Sequence, residues 1–150
     1  MAAGDLKQLA GLSTRLDVNV VTPRGVVAHK DTDALAAPGE EGAFELLPGH
    51  VPMLAALKPG VLVIGERTPT RYAVSSGYLR CDPTGAVEVL VEQCVQGSAV
   101  DVEAARADLR AAEAAVAKWG DKPADGDYLN LRHDVEWAQA RIAAASNASA

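Results

Sequence analysis

The hydrophobic pattern of this chain changes period once, near Gly97. Before that point, apolar and polar residues alternate over short runs separated by turns. Leu16, Val18 and Val20 fall on one side and Asp17 and Asn19 on the other, which predicts a half-buried strand over 16–22. Pro23-Arg24-Gly25 turns the chain. A longer strand is expected over 26–37, with its polar centre from His29 to Asp33 at a bend or an edge. Val61-Leu62-Val63-Ile64 has no polar member and suits a strand covered on both faces. Strands over 71–75 and 78–81 are joined across Ser76-Gly77, with the polar 65–69 loop before them. Asp82-Pro83-Thr84-Gly85 carries the residues of a type I-like turn. Residues 86–95 read as the last strand. Turns recurring about every 8–12 residues are the mark of a β-sandwich or barrel.

Beyond Gly97 the spacing becomes helical and alanine dominates. Val102, Ala105, Leu109, Ala112, Val116 and Trp119 step by 3, 4, 3, 4, 3, a heptad stripe. Asp101 or Ser98 suits the N-cap and Gly120 the stop. After the polar 120–127 loop, Tyr128, Leu131, Val135, Ala138, Ile142 and Ala145 repeat the same steps, with Asp127 as the expected cap. Two helices of matched stripe and a short connection predict an antiparallel hairpin. Four of the twelve stripe positions are alanine. A buried leucine contributes roughly 1.5–3 kcal/mol and a methyl about 0.8, while alanine favours the helix itself. The helices should therefore persist locally while docking weakly, as an arm that can leave its resting place; a static helical cap is the alternative.

The densest run of turn residues lies at 38–60. Pro38-Gly39 opens it, and Gly42 can take positive φ. Pro48-Gly49-His50 turns the chain again, and Lys58-Pro59-Gly60 closes the run. Phe44-Glu45-Leu46-Leu47 and 53–57 fit as two short strands between these turns. Pro-Gly-x-x-Gly, then Leu-Pro-Gly-His-x-Pro-x-Leu, then Leu-Lys-Pro-Gly resembles the signature of the epsilon subunit of F-type ATP synthase. The opening 16–23 segment and the Ser76-Gly77-Tyr78-Leu79 turn are also similar to that family, and the resemblance runs from about Arg15 to the mid-140s. The fold expected is an all-β sandwich of about ten short strands over 14–96 and an antiparallel two-helix hairpin over 97–146. Residues 1–13 read as an extension and 147–150 as a disordered tail.

Composition narrows the functional classes. The 150 residues are 49% hydrophobic but only 4% aromatic, so the core must be aliphatic. A net charge of −6 argues against a nucleic-acid partner. No apolar run approaches the ~18 residues of a membrane span, so membrane association is expected only through a protein partner. The first residues lack the basic start and apolar centre of a signal peptide. Cys81 and Cys94 fall in strand-like runs and read as free, reduced thiols. His29, His50 and His133 are far apart, with no metal-ligand spacing, and Ser75-Ser76 lacks a nucleophile context. An enzyme is disfavoured, and a free-standing sandwich module that binds a ligand or peptide is the second reading.

The resemblance implies a non-catalytic subunit joining the gamma subunit to the c ring of a proton-translocating ATP synthase. It implies a peripheral location on the cytoplasmic face of the inner membrane. Pro38, Gly39, Glu40, Glu41, Gly42 and Ala43 would form the loop facing the c ring. Pro48, Gly49 and His50 would belong to the face on gamma, though His50 also suits a turn-stabilising role. The hairpin would either rest on the sandwich or extend into the alpha/beta catalytic head and restrain ATP hydrolysis. Arg106, Arg110, Lys118, Arg132 and Arg141 are candidates for contacts there, against the plainer reading of each as a solvated helix charge. Some members of the family bind ATP through an Ile/Leu-Asp-x-x-Arg-Ala motif. The nearest match, Val102-Glu103-Ala104-Ala105-Arg106-Ala107, departs at its first two positions. Glu103 and Arg106 are the only ATP candidates this leaves, and no cofactor is expected.

Overall fold

The computed structural model describes residues 14–146; the expected extension over 1–13 and the expected tail over 147–150 lie outside the described residues. Ten strands run in order: β1 Leu16–Thr22, β2 Gly25–Thr32, β3 Leu35–Ala37, β4 Phe44–Leu46, β5 Met53–Leu57, β6 Gly60–Ile64, β7 Thr70–Val74, β8 Gly77–Cys81, β9 Ala86–Val91 and β10 Cys94–Gln96. They form two five-stranded sheets. Sheet I has the order β2-β1-β9-β8-β5 and sheet II the order β10-β7-β6-β3-β4. All the pairings are antiparallel except β1 with β9. The alternation read at 16–22 is realised directly, with Leu16, Val18 and Val20 buried. They meet Leu35, Leu46, Leu57, Leu62, Val74, Leu79, Val87 and Val89 in an aliphatic core between the sheets.

Two expected long strands are each split between the sheets. The 26–37 run becomes β2 at the edge of sheet I and β3 in sheet II. Its corner is fixed by polar groups that a continuous strand would leave unused. Buried Thr32 donates its hydroxyl to the Ala34 carbonyl at 3.2 Å, and the Asp33 carboxylate accepts the Glu66 amide at 3.1 Å. The 86–95 run likewise becomes β9 in sheet I and β10 in sheet II. Here fully buried Ser75 makes the corner: its hydroxyl accepts the Gln93 amide at 2.8 Å, and its amide donates to the Gln93 carbonyl at 3.0 Å. Satisfying buried polar groups locally is what lets the chain leave one sheet for the other.

A single 3₁₀ turn at Gly97–Ala99 leads to helix α1, Val102–Trp119. Asp101 caps it, accepting the Ala104 amide at 3.0 Å, and Gly120 ends it with φ +64°. Helix α2 spans Gly126–Ser146. Its cap is Asp125 rather than Asp127: the Asp125 carboxylate accepts the amides of Asp127 and Tyr128 at 3.0 and 3.2 Å. Asp127 instead lies in the first turn, where its charge still favours the helix dipole.

Candidate interaction surfaces

The 38–43 loop is anchored at its base and open at its tip. Pro38 and Gly39 are buried, whereas Glu40, Glu41, Gly42 and Ala43 are exposed. Backbone bonds join the base to the sheet I edge: Lys58 donates to the Pro38 carbonyl and Glu40 to the Ala56 carbonyl, each at 3.0 Å. The glycines are close-approach requirements. A Cβ at Gly39 would stand 2.6 Å from the Gly42 carbonyl oxygen and 2.9 Å from the Phe44 ring. One at Gly60 would stand 2.5 Å from the Pro38 side chain. The signature residues thus hold a firm tip that presents two carboxylates.

The 48–50 turn precedes edge strand β5. The His50 amide donates to the Leu47 carbonyl at 3.1 Å, and its Nδ1 lies 2.8 Å from the Val51 carbonyl. The exposed imidazole therefore stabilises its own turn, as one of the two readings anticipated. Around it, Leu47, Val51 and Leu54 are left in the open, Leu54 at 71% exposure.

Apolar side chains continue from there across the outer face of sheet I. Strand register sets Ala56 beside Tyr78, Tyr78 beside Leu90, Leu90 beside Val21, and Val21 beside Val26. Tyr78, Leu90 and Val26 are large and exposed. Further along the same face the pairs are polar: an Arg80–Glu88 salt bridge at 2.6 Å and a His29–Asp17 hydrogen bond at 2.5 Å. The outer face of sheet II, by contrast, is covered by α2 over β10, β7 and β6.

Helix α2 buries two stripes. The expected one faces α1. The other, Trp137, Ala140 and Ala144, packs on Ala73 of β7, with Val61 and Val95 alongside. Val61-Leu62-Val63-Ile64 is accordingly covered on both faces only where the helix lies over it. His133 extends the second stripe, its Nε2 3.2 Å from the Ser76 hydroxyl. Sequence reading missed this stripe, although its steps of 4, 3 and 4 from His133 through Ala144 were there to be read. Small residues and one polar member disguised it.

Four of the five basic hairpin candidates, Arg106, Arg110, Lys118 and Arg132, are exposed. Arg106 pairs with Glu103 at 3.2 Å on the open face of α1, so the two ATP candidates lie together but outside any enclosure. Arg132 borders a cleft of about 430 Å³ that also contains Glu40, Lys58, Ser76, His133 and Glu136. Arg141 differs: its side chain is 18% exposed and bonds Asp108 of α1 at 3.0 Å. Both cysteines are free thiols. Burial pushes Cys94 up to about 11 and raises Cys81, to which the Asp82 charge adds. A thiol so protonated is a core side chain rather than a nucleophile. Among the described residues, no helix is long and apolar enough to cross a membrane. Among the described residues, no group of His, Cys, Asp and Glu could hold a metal ion.

These features define a class of protein that works through its faces: a two-sheet sandwich with a firm acidic tip, an open apolar sheet face and a docked helical hairpin. The family described as ATP synthase, Delta/Epsilon chain, beta-sandwich domain matches residues 15–97. The chain is 35% identical to the ATP synthase epsilon chain of Synechococcus sp. (strain WH7803), over 88% of this chain and 97% of the relative. It is 34% identical to that of Geobacter sulfurreducens, over 92% and 99%. A chain in the Euglena gracilis mitochondrial ATP synthase assembly of OSCP, F1 and c-ring has the same fold, with a TM-score of 0.74 at 19% identity, covering 89% of this chain and 82% of that one. A chain in the central stalk and c-ring structure of the Tetrahymena thermophila enzyme gives 0.56 at 15% identity, over 90% and 96%. The chain belongs to the ATP synthase epsilon chain family. It is a non-catalytic epsilon subunit of an ATP synthase.

Proposed function

We propose that this subunit links gamma to the c ring, with the sandwich as the coupling body and the hairpin as a brake on ATP hydrolysis. The 38–43 tip faces the c ring, where Glu40 and Glu41 make polar contacts. Gamma takes the 48–50 turn and the adjoining outer face of sheet I. The hairpin, once released, meets the alpha/beta head through Arg106, Arg110, Lys118 and Arg132. The subunit sits peripherally on the cytoplasmic side of the membrane, held there by its partners. ATP binding forms no part of this reading, because Glu103 and Arg106 neutralise each other on an open helix face.

The observation that carries the gamma assignment is the row of exposed apolar side chains through Tyr78, Leu90 and Val26, on the outer face of sheet I, away from the hairpin. A large exposed apolar patch rimmed by polar residues marks a partner surface. The test is capture of gamma by Tyr78→Asp and Leu90→Asp chains. Both sites point outward, so the sandwich should fold, while the stoichiometric complex should be lost. Undiminished capture would remove the assignment. Deleting residues 97–150 and measuring hydrolysis by the reconstituted enzyme tests the brake, and faster hydrolysis is the expected result.

A further inference from the structure

Arg141 touches both seams of the hairpin at once. Across the α1–α2 seam it bonds Asp108 at 3.0 Å. On its own helix it lies over the ring of Trp137, 5.4 Å from the centroid. Trp137 is the large apolar side chain on the stripe that docks α2 to sheet II, and it is 8% exposed. The guanidinium is largely enclosed, and its Nε is buried without a hydrogen-bond partner. Asp108 is the one carboxylate paired with it among the described residues. Both residues border a cleft of about 490 Å³ between the two helices and Gln93 of the sandwich.

We propose that Arg141 is an internal coupling latch, making closure of the hairpin and docking of the hairpin a single cooperative event. The reasoning is electrostatic and steric. Removing one partner of a partly buried ion pair leaves the other charge poorly solvated, so the guanidinium must move toward water. It cannot do so and stay stacked over Trp137. Opening the α1–α2 seam therefore withdraws the cation from over Trp137, the large residue packed with Ala73. Conversely, lifting Trp137 off the sheet moves the cation away from Asp108. Arg141 is accordingly unlike the four exposed cations of the hairpin: it reaches another protein only after the latch opens. This inference concerns the isolated chain and stands independently of where the released hairpin goes.

The test uses the full-length chain with Trp119→Phe, which leaves Trp137 as the one tryptophan of the original two. Asp108→Asn breaks the pair at a position where the side chain is 60% exposed, so folding is not at risk. It should speed amide exchange roughly two- to fivefold in both helices, in keeping with a pair that is partly exposed. It should also shift Trp137 emission to the red. Arg141→Lys keeps a cation for Asp108 but loses the guanidinium over the Trp137 ring. It should leave α1 exchange close to the parent while Trp137 emission still shifts. Unchanged exchange in the strands is the control for an intact sandwich. Faster exchange confined to α1 in Asp108→Asn, with Trp137 emission fixed, would overturn the coupling, as would an unshifted emission in Arg141→Lys.

Discussion

Leu35, Leu46, Leu62 and Leu79 lie between the two sheets with essentially no exposed surface, whereas the seam between sheet II and α2 is closed by Ala73, Ala140, Ala144 and one tryptophan. Both interfaces bury apolar side chains, but they are not equally strong. Each leucine in the first contributes roughly 1.5–3 kcal/mol, while each methyl in the second contributes about 0.8. The sandwich core is a condition of folding. The hairpin seam is a docking contact between two elements that are each already formed, the helices by propensity and the sheet by its own core. That asymmetry is what the proposed role of the hairpin requires, since its seam would have to open while the sandwich core stays closed.

The strongest challenge to this comparison lies in the core. Leu62→Ala or Leu79→Ala should lower stability by about 2–5 kcal/mol, seen as one shifted unfolding transition of the whole sandwich. A mild effect, or unfolding confined to the helices, would mean that the core is not the source of stability. Trp137→Ala should behave differently. Truncating a buried tryptophan commonly costs about 3–5 kcal/mol, but here the loss cannot exceed the free energy of docking. Exchange should rise throughout α2 while the thermal transition of the strands hardly moves. Ala73→Leu approaches the same seam from the sheet side. Overpacking costs about 1–3 kcal/mol, and because Ala73 points away from the core it should push α2 off without loosening the sheets. A common shift of strand and helix exchange in either variant would make the two interfaces one cooperative unit.

How much of this was legible beforehand depended on whether the signal was local. The strand at 16–22, the α1 stripe and the Asp82 turn were all readable, because each is set by neighbours in sequence. The Asp82 carboxylate, for instance, accepts the Thr84 and Ala86 amides at 2.8 and 3.0 Å, with the Thr84 hydroxyl as a third donor. The sheet-to-sheet corners at 33–34 and 92–93 were not readable. They depend on Glu66 meeting Asp33 and on Gln93 meeting Ser75, partners 33 and 18 residues apart. The same holds for the interaction surfaces. The 38–60 turns could be read from glycine and proline, but the exposed row on sheet I exists only once β1, β9 and β8 are side by side. Arg141 looked like any other helix cation until the fold brought Asp108 to it.

The smallest expected effect separates the two regions by pH. The Cys94 thiol sits on β10 against the core, and burial raises it from 9.0 to about 11. Well below pH 9 both folded and unfolded chains keep the proton, so Cys94 contributes almost no pH dependence there. Between about 9 and 11 the unfolded chain releases it while the folded chain retains it, so stability falls as pH rises through that window. One proton would give at most about 1.4 kcal/mol per pH unit, and the partial exposure of Cys94 keeps the real slope below that. Tyr72 and Cys81, also raised by burial, push in the same direction. All three belong to the sandwich. Cys94→Ala should therefore flatten the alkaline decline of the strand transition in denaturant titrations at pH 8, 9.5 and 10.5, and leave the exchange of α1 as it was. An unchanged slope would mean that Cys94 is better solvated than its packing implies, and would weaken the view of the sandwich as the drier and tighter of the two regions.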